Sequence, residues 1–406
     1  MTFNSKFWLK FSLINLLLVA LLGLLMRYKI GFEFPYFNQK SLQHSHSHFA
    51  FAGWISHTLM VLMITYLSKK SNLTINFKKY NFILIANLVC AYGMLLAFII
   101  QGYGAFSITF STVSLFVSYA FGYTFIKHLK SLPAGDLTKK WFTAAIFFNI
   151  ISSLGTFALA YMMITQNIHQ EEYLASIYYY LHFQYNGWFF FSCMGLVYGF
   201  LNLTKAENPF FDIAFKLFFF SCLPAYFLST LWADLPVWLY VLTVLAALTQ
   251  AIAWYNLLII IVKTKRDYLT NFPYFLRYIL LFVALAVSIK VLLQLGSTIP
   301  SVSKLAFGFR PIVIAYLHLV LLAIISLFLL FYIYANHLIH SSPKIKLGVI
   351  IFSVGVLLNE IILAVQGIAS FSYTLIPYAN ELLFGAAVVL VSGISLTAFY
   401  SIKKVK

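Results

Sequence analysis

The chain has 406 residues, of which 62% are hydrophobic and only 9% charged, with a mean hydropathy of +0.90. Soluble domains are about half apolar and about a quarter charged, so this composition excludes a soluble globular fold, a disordered chain and a nucleic-acid binder. The net charge of +17, from 27 Lys and Arg against 10 Asp and Glu, therefore points to cytoplasmic loops of a membrane protein.

A membrane helix needs about 20 apolar residues. Twelve such stretches follow one another: Trp8–Met26, Phe49–Leu67, Phe82–Ile100, Phe106–Ile126, Phe142–Ile164, Ile177–Leu201, Phe211–Leu231, Val237–Val262, Phe275–Leu295, Ile312–Ile333, Leu347–Ile368 and Leu382–Phe399. They are too long for barrel strands, and the first, with no small-residue cleavage site, reads as a retained helix. With the N-terminus in the cytoplasm, Arg27, Lys29, Lys40, Lys304 and Arg310 fall outside and Lys290 falls inside span nine, leaving the other 21 basic residues on the cytoplasmic side. That asymmetry predicts an all-α integral membrane protein with twelve transmembrane helices and both termini cytoplasmic. The expected setting is a bacterial inner membrane with lipid as the partner. No polar stretch is long enough for an extramembrane domain. Cys90, Cys193 and Cys222 lie in apolar runs and read as core thiols.

The sequence His48-Phe49-Ala50-Phe51-Ala52-Gly53-Trp54 opens span two, and His182-Phe183-Gln184-Tyr185-Asn186-Gly187-Trp188 stands in span six. Both fit HFx(F/Y)xGW. After a nearly equal interval, span ten has His318-Leu319, with Ala323 in place of the glycine. The repeat predicts one polytopic domain, 1–406, built from three four-helix units in pseudo-threefold arrangement, at about 1–135, 136–270 and 271–406. Spans two, six and ten would all run inward and hold their histidines at one depth. Gly53 and Ala323 would leave room for a neighbouring helix or a flat ligand.

His is the commonest metal ligand, and intramembrane ionisable groups are usually functional. Span two is the densest region, with His44, His46, His48 and then His57. At about 100° per residue, His44 and His48 share one face, and His46 is nearly in line with His57. Together with His182 these are candidate metal ligands, for Zn or Cu. His46, His48, His182 and His318 are candidate cofactor ligands. Lys290 and Glu360 have similar depth in spans nine and eleven, as a buried ion pair, a propionate contact or a proton path. No Walker loop, GxSxG, HExxH or CxxCH is present, so hydrolysis, ATP-driven transport and covalent haem attachment have no support.

Twelve helices in three arcs of four, with histidines near the outer surface, resemble subunit I of the haem-copper oxidase and nitric oxide reductase superfamily. The phrase His46-Ser47-His48-Phe49-Ala50-Phe51-Ala52-Gly53 looks like the family's HxH haem motif, His182 to Trp188 resembles its copper-bearing sixth helix, and His318 falls on its other haem-bearing helix. The chain is also similar to polytopic haem membrane proteins linked to nitric oxide stress (NnrS-like). Span seven lacks the family's paired histidines, and span ten keeps one of two. The resemblance therefore implies a haem b bound by His48, or His46 in its place, and His318, with His182 holding a second haem or copper. It implies an oxidoreductase or electron carrier handling nitric oxide or oxygen, with a periplasmic electron donor or other respiratory subunits as partners. The alternatives are a secondary transporter with structural histidines, marked by broken helices and interruptions such as Pro224, or a non-catalytic haem sensor.

Overall fold

The computed structural model of the protein describes residues 3–71 and 75–402, apart from the side chains of 304–306. The basic groups of Lys304, Lys403, Lys404 and Lys406 lie outside the described residues. Among the described residues the chain is all α, with no strand. In chain order the helices are α1 (Ser5–Gly31), α2 (Gln39–Phe49), a π segment (Ala50–Ser56), α3 (His57–Lys70), α4 (Lys78–Gln101), α5 (Ala105–Leu129) and α6 (Thr138–Thr165). Then come α7 (Gln170–His182), a second π segment (Phe183–Phe189), α8 (Phe190–Leu201), α9 (Phe210–Cys222), a 3-10 turn (Pro224–Thr230), α10 (Val237–Thr264) and α11 (Arg266–Thr270). The chain closes with α12 (Tyr274–Gly296), α13 (Pro300–Gly308), α14 (Arg310–His318), a third π segment (Leu319–Ser326), α15 (Leu327–Ala335), α16 (Pro343–Phe371) and α17 (Ala379–Ile402).

The helix starts follow from local chemistry. Asn4 Oδ1 accepts from Phe7 N at 3.0 Å, Asn38 Oδ1 accepts from Lys40 N and Ser41 N, and Ser342 Oγ accepts from Ile345 N just ahead of Pro343. Each satisfies amide groups that the first helical turn leaves over. Helix α4 stops where Gly102 takes a φ of 64°, a conformation that costs glycine little.

Among the described residues, ten helices are long and apolar enough to cross a membrane, and eleven if the bent pair at Phe210–Cys222 and Pro224–Thr230 is one span. This is a multi-pass membrane protein, with lipid as its surroundings. The two departures from twelve apolar spans have clear causes. Span seven bends by 46° because Pro224 has no N–H to give the helix. The segment expected as span six is continuous helix from Gln170 to Leu201, but Gln184 and Asn186 interrupt its apolar run and are buried inside the protein.

The helices form two compact units, one of residues up to Ser131 with those from Ser326 onward, the other of Leu132–Ile325. In the first unit α1 packs on α17 and on the first π segment, α2 on α4, α4 on α5, and α16 on α17. The α16–α17 pair approaches closely because a Cβ on Gly348 would stand 2.8 Å from Gly393 O, the role small residues serve between membrane helices. In the second unit α6 packs on α7, on the second π segment and on α8, while α10 packs on α9 and α12.

Candidate functional site

The three repeated histidines share one backbone feature. His48 precedes Phe49 and the first π segment, His182 stands directly before the second, and His318 directly before the third. A π turn hydrogen-bonds i to i+5, so it leaves backbone groups out of the α register, and such turns are rare and often functional. The buried backbone groups that a π turn displaces must find partners elsewhere.

In the first unit, flanking helices supply them. Asn15 Nδ2 of α1 donates to Gly53 O at 2.6 Å, and Asn87 Nδ2 of α4 donates to Ala52 O at 3.1 Å. Tyr92 OH fixes Asn15 by donating to its Oδ1 at 2.7 Å. Asn87 also stands 3.4 Å from His57 Nδ1. That makes Nδ1 an acceptor and places the His57 proton on Nε2, a fully buried atom with no hydrogen-bond partner among the described residues. Trp54 Nε1, from the same π segment, donates to Ser326 Oγ at 2.9 Å.

Along α2 the histidines diverge. The rings of His44 and His48 both pack against Phe98 and Tyr103, with His48 stacked on Phe98 at 4.4 Å and 3.3 Å from Tyr103 OH. His44 Nε2 is buried without a partner among the described residues. His46 turns to α1, where its Nδ1 lies 3.1 Å from Val19 O, with Cε1 beside Gly23. A carbonyl only accepts, so Nδ1 carries the proton and the lone pair is on Nε2. The same holds for His318 in the second unit, whose Nδ1 is 2.9 Å from Ile314 O, one turn back on its own helix.

His182 is bonded at both nitrogens. Nε2 donates to Cys222 O at 2.9 Å, and Nδ1 accepts from Asn186 Nδ2 at 3.1 Å. The first bond follows from Pro224. In the 3-10 turn Tyr226 N–H bonds Leu223 O, so it is not the α-helical donor for Cys222 O, and His182 fills that place. The imidazole thus braces a broken helix and does not fit a metal-ligand role in this arrangement. Gln184 Nε2 donates to Asn149 Oδ1 and Ser152 Oγ of α6, at 2.9 and 2.8 Å.

The space expected beside Gly53 is filled, and so is the space beside Gly187. A Cβ on Gly53 would stand 2.7 Å from the Phe49 ring, and one on Gly187 would stand 2.5 Å from Phe148 Cβ. Both glycines serve close packing. Beside the break at Pro224 lies a cavity of about 10 Å³ lined by Asn186, Cys222, Gln250, Lys290 and aromatic rings, room for about one water. Asn186 Oδ1 is buried there without a partner among the described residues. Lys290 is buried, its Nζ 5.9 Å from the Phe190 ring centre. Among the described residues the ion pairs of this unit join Asp212 to Lys140 and Lys216, and Glu207 to Lys265, and Lys290 is in none of them. Glu360 belongs to the other unit, where Asn359 Nδ2 donates to its Oε1 at 3.2 Å.

Among the described residues, no three His, Cys, Asp or Glu side chains gather as a metal-holding group. Sequence reasoning passed over Asn15, Asn87, Asn149 and the Cys222 carbonyl. One signal was available, for the interval from Asn15 to Asn149 equals that from His48 to His182. A comparison with protein-family models finds no match to this chain, and a comparison with curated proteins finds none either.

Proposed function

We propose that the protein is a haem b protein of the bacterial inner membrane, acting in electron transfer or in the handling of nitric oxide or oxygen. The observation that carries this reading is the tautomer shared by His46 and His318. In each, a backbone carbonyl holds the proton on Nδ1 and leaves the lone pair on Nε2. Ligating histidines keep that arrangement, because the outer bond fixes ring and tautomer. Of the two HxH histidines, His46 is the one whose Nδ1 lies at a backbone carbonyl, while the Nε2 of His48 faces Tyr103 OH. His182 is outside the proposed ligand set, and so is copper.

Bound haem would supply one-electron iron chemistry, with a potential set by axial ligands and burial. The chain's own part would be to hold each imidazole by its Nδ1, through Val19 O for His46 and Ile314 O for His318. A periplasmic electron donor or a respiratory subunit would then be its partner. Twelve crossings with both termini cytoplasmic complete the reading, supported by the basic-residue asymmetry and by the continuous helix Gln170–Leu201. Strong activity from an external-only reporter fused after Lys406 would overturn that topology.

The test is an absorption spectrum of the protein purified from haem-sufficient cells. A Soret band is expected, with haem released by acid-acetone because no CxxCH holds it. His46→Ala and His318→Ala should each lower haem content far more than His128→Ala or His340→Ala. A colourless protein would favour a secondary transporter, the reading that the bent span at Pro224 beside the Lys290 cavity supports.

A further inference from the structure

Helices α1 and α4 of the first unit are tied at two levels. Trp8 Nε1 donates to Asn81 Oδ1 at 3.0 Å, and deeper along the pair Tyr92 OH donates to Asn15 Oδ1 at 2.7 Å. Over these ties lies an open groove of about 880 Å³, within the size range of ligand sites. Phe7, Phe11, Ile85, Leu88 and Val89 form its apolar walls, and Asn4 and Lys78 stand at its end. Phe7, Ile85 and Val89 are exposed, so the groove opens toward lipid.

Two features decide what would fill it. From Lys78 to Tyr92 the helix rises about 21 Å at 1.5 Å per residue, which is half of a bilayer of about 40–45 Å with its headgroups. The mouth is cationic: Lys78 lines it, Lys6 and Lys79 lie in the same first turns, and neither helix contains an acidic residue.

We propose that this groove binds one anionic phospholipid, with its phosphate at Lys78 and an acyl chain along Phe7, Ile85 and Val89. A zwitterionic lipid offers the same chain but a neutral head, so the cationic mouth is what selects. The site is separate from the histidines and does not depend on haem.

The test is native mass spectrometry of the full chain in detergent, mixed with equal amounts of phosphatidylglycerol and phosphatidylcholine. Wild type should retain one phosphatidylglycerol under activation that strips other lipids. Lys78→Gln should lower the preference for phosphatidylglycerol about fivefold, the factor one lysine contributes near an anionic surface. Val89→Trp, placing a ring in the groove at an exposed position, should remove the retained lipid of either kind and leave helical circular dichroism unchanged. Equal retention of the two lipids by wild type, an unchanged preference in Lys78→Gln, or undiminished retention in Val89→Trp would each overturn the proposal.

Discussion

The first and second π segments are tied to neighbouring helices with opposite polarity. Around Ala50–Ser56 the flanking helices reach in: Asn15 and Asn87 donate to the carbonyls of Gly53 and Ala52. Around Phe183–Phe189 the helix reaches out: Gln184 donates to Asn149 and Ser152, and His182 donates to the carbonyl of Cys222. The same HFx(F/Y)xGW phrase stands at both places. The phrase thus marks a backbone device and not a fixed set of ligands, because its histidines meet different surroundings. His48 rests on Phe98, whereas His182 is bonded at both nitrogens.

The largest effect is expected where one side chain serves two buried groups. Asn87→Ala would strip a donor from Ala52 O and from His57 Nδ1 together. Each orphaned buried group costs about 1–3 kcal/mol, so a loss of about 3 kcal/mol is expected in unfolding titrations in detergent. If Asn87→Ala cost no more than an exposed substitution, the inward-reaching half of the comparison would be wrong.

On the other side, His182→Phe should cost about 2 kcal/mol, mainly through the abandoned Cys222 carbonyl. Asn186 can turn its amide to the water-sized cavity and recover part of its loss. Haem content should not change, which separates a brace from a ligand. A double-mutant cycle sharpens this. With Ala at 224 the helix can continue and Tyr226 N–H can return to Cys222 O, so His182→Phe should cost less in that background. Contacting sites typically couple by about 0.5–3 kcal/mol. Strict additivity would mean that His182 does not brace the break.

The glycines give a smaller contrast. Gly187→Ala would drive a methyl to 2.5 Å from Phe148 Cβ, an atom fixed to the α6 backbone. Gly53→Ala would meet the Phe49 ring at 2.7 Å, and a ring can turn. Overpacking costs about 1–3 kcal/mol, so Gly187→Ala should fall in that range and Gly53→Ala below it. Equal thermal shifts would show that the two copies pack alike.

These contrasts also show what the sequence could carry. Apolar runs and basic loops announced most spans, because hydrocarbon and headgroups sort residues by solvation alone. Pro224 marked an interruption in span seven, since a missing N–H is a local property. The interval between His48 and His182 announced paired positions, and it held for Asn15 and Asn149 as well. Periodicity could not announce the π segments, because one extra residue in a helical turn leaves the apolar pattern nearly intact. Nor could it say which carbonyl would meet His182. That depends on where α9 breaks against α7, a contact between residues far apart in the chain.

The smallest effect is expected at His44, and it tests the His-rich start of span two directly. His44 Nε2 is buried without a partner among the described residues, while its ring lies edge-on to Tyr103 at 4.6 Å and near Phe98 at 6.0 Å. Replacing His44 with Phe keeps an aromatic ring in that place and removes the unpaired nitrogen. Eliminating an orphaned polar atom offsets the strain of a slightly larger ring, so stability should change by no more than about 0.5 kcal/mol. His182, at the matching repeat of the second unit, has no orphaned nitrogen to remove, which is why its replacement by Phe should be costly. A metal bound through His44 would reverse the expectation: His44→Phe would then lose metal, and stability with it, in a metal-loaded preparation. Elemental analysis beside unfolding curves for wild type and His44→Phe distinguishes an idle ring nitrogen from a ligating one.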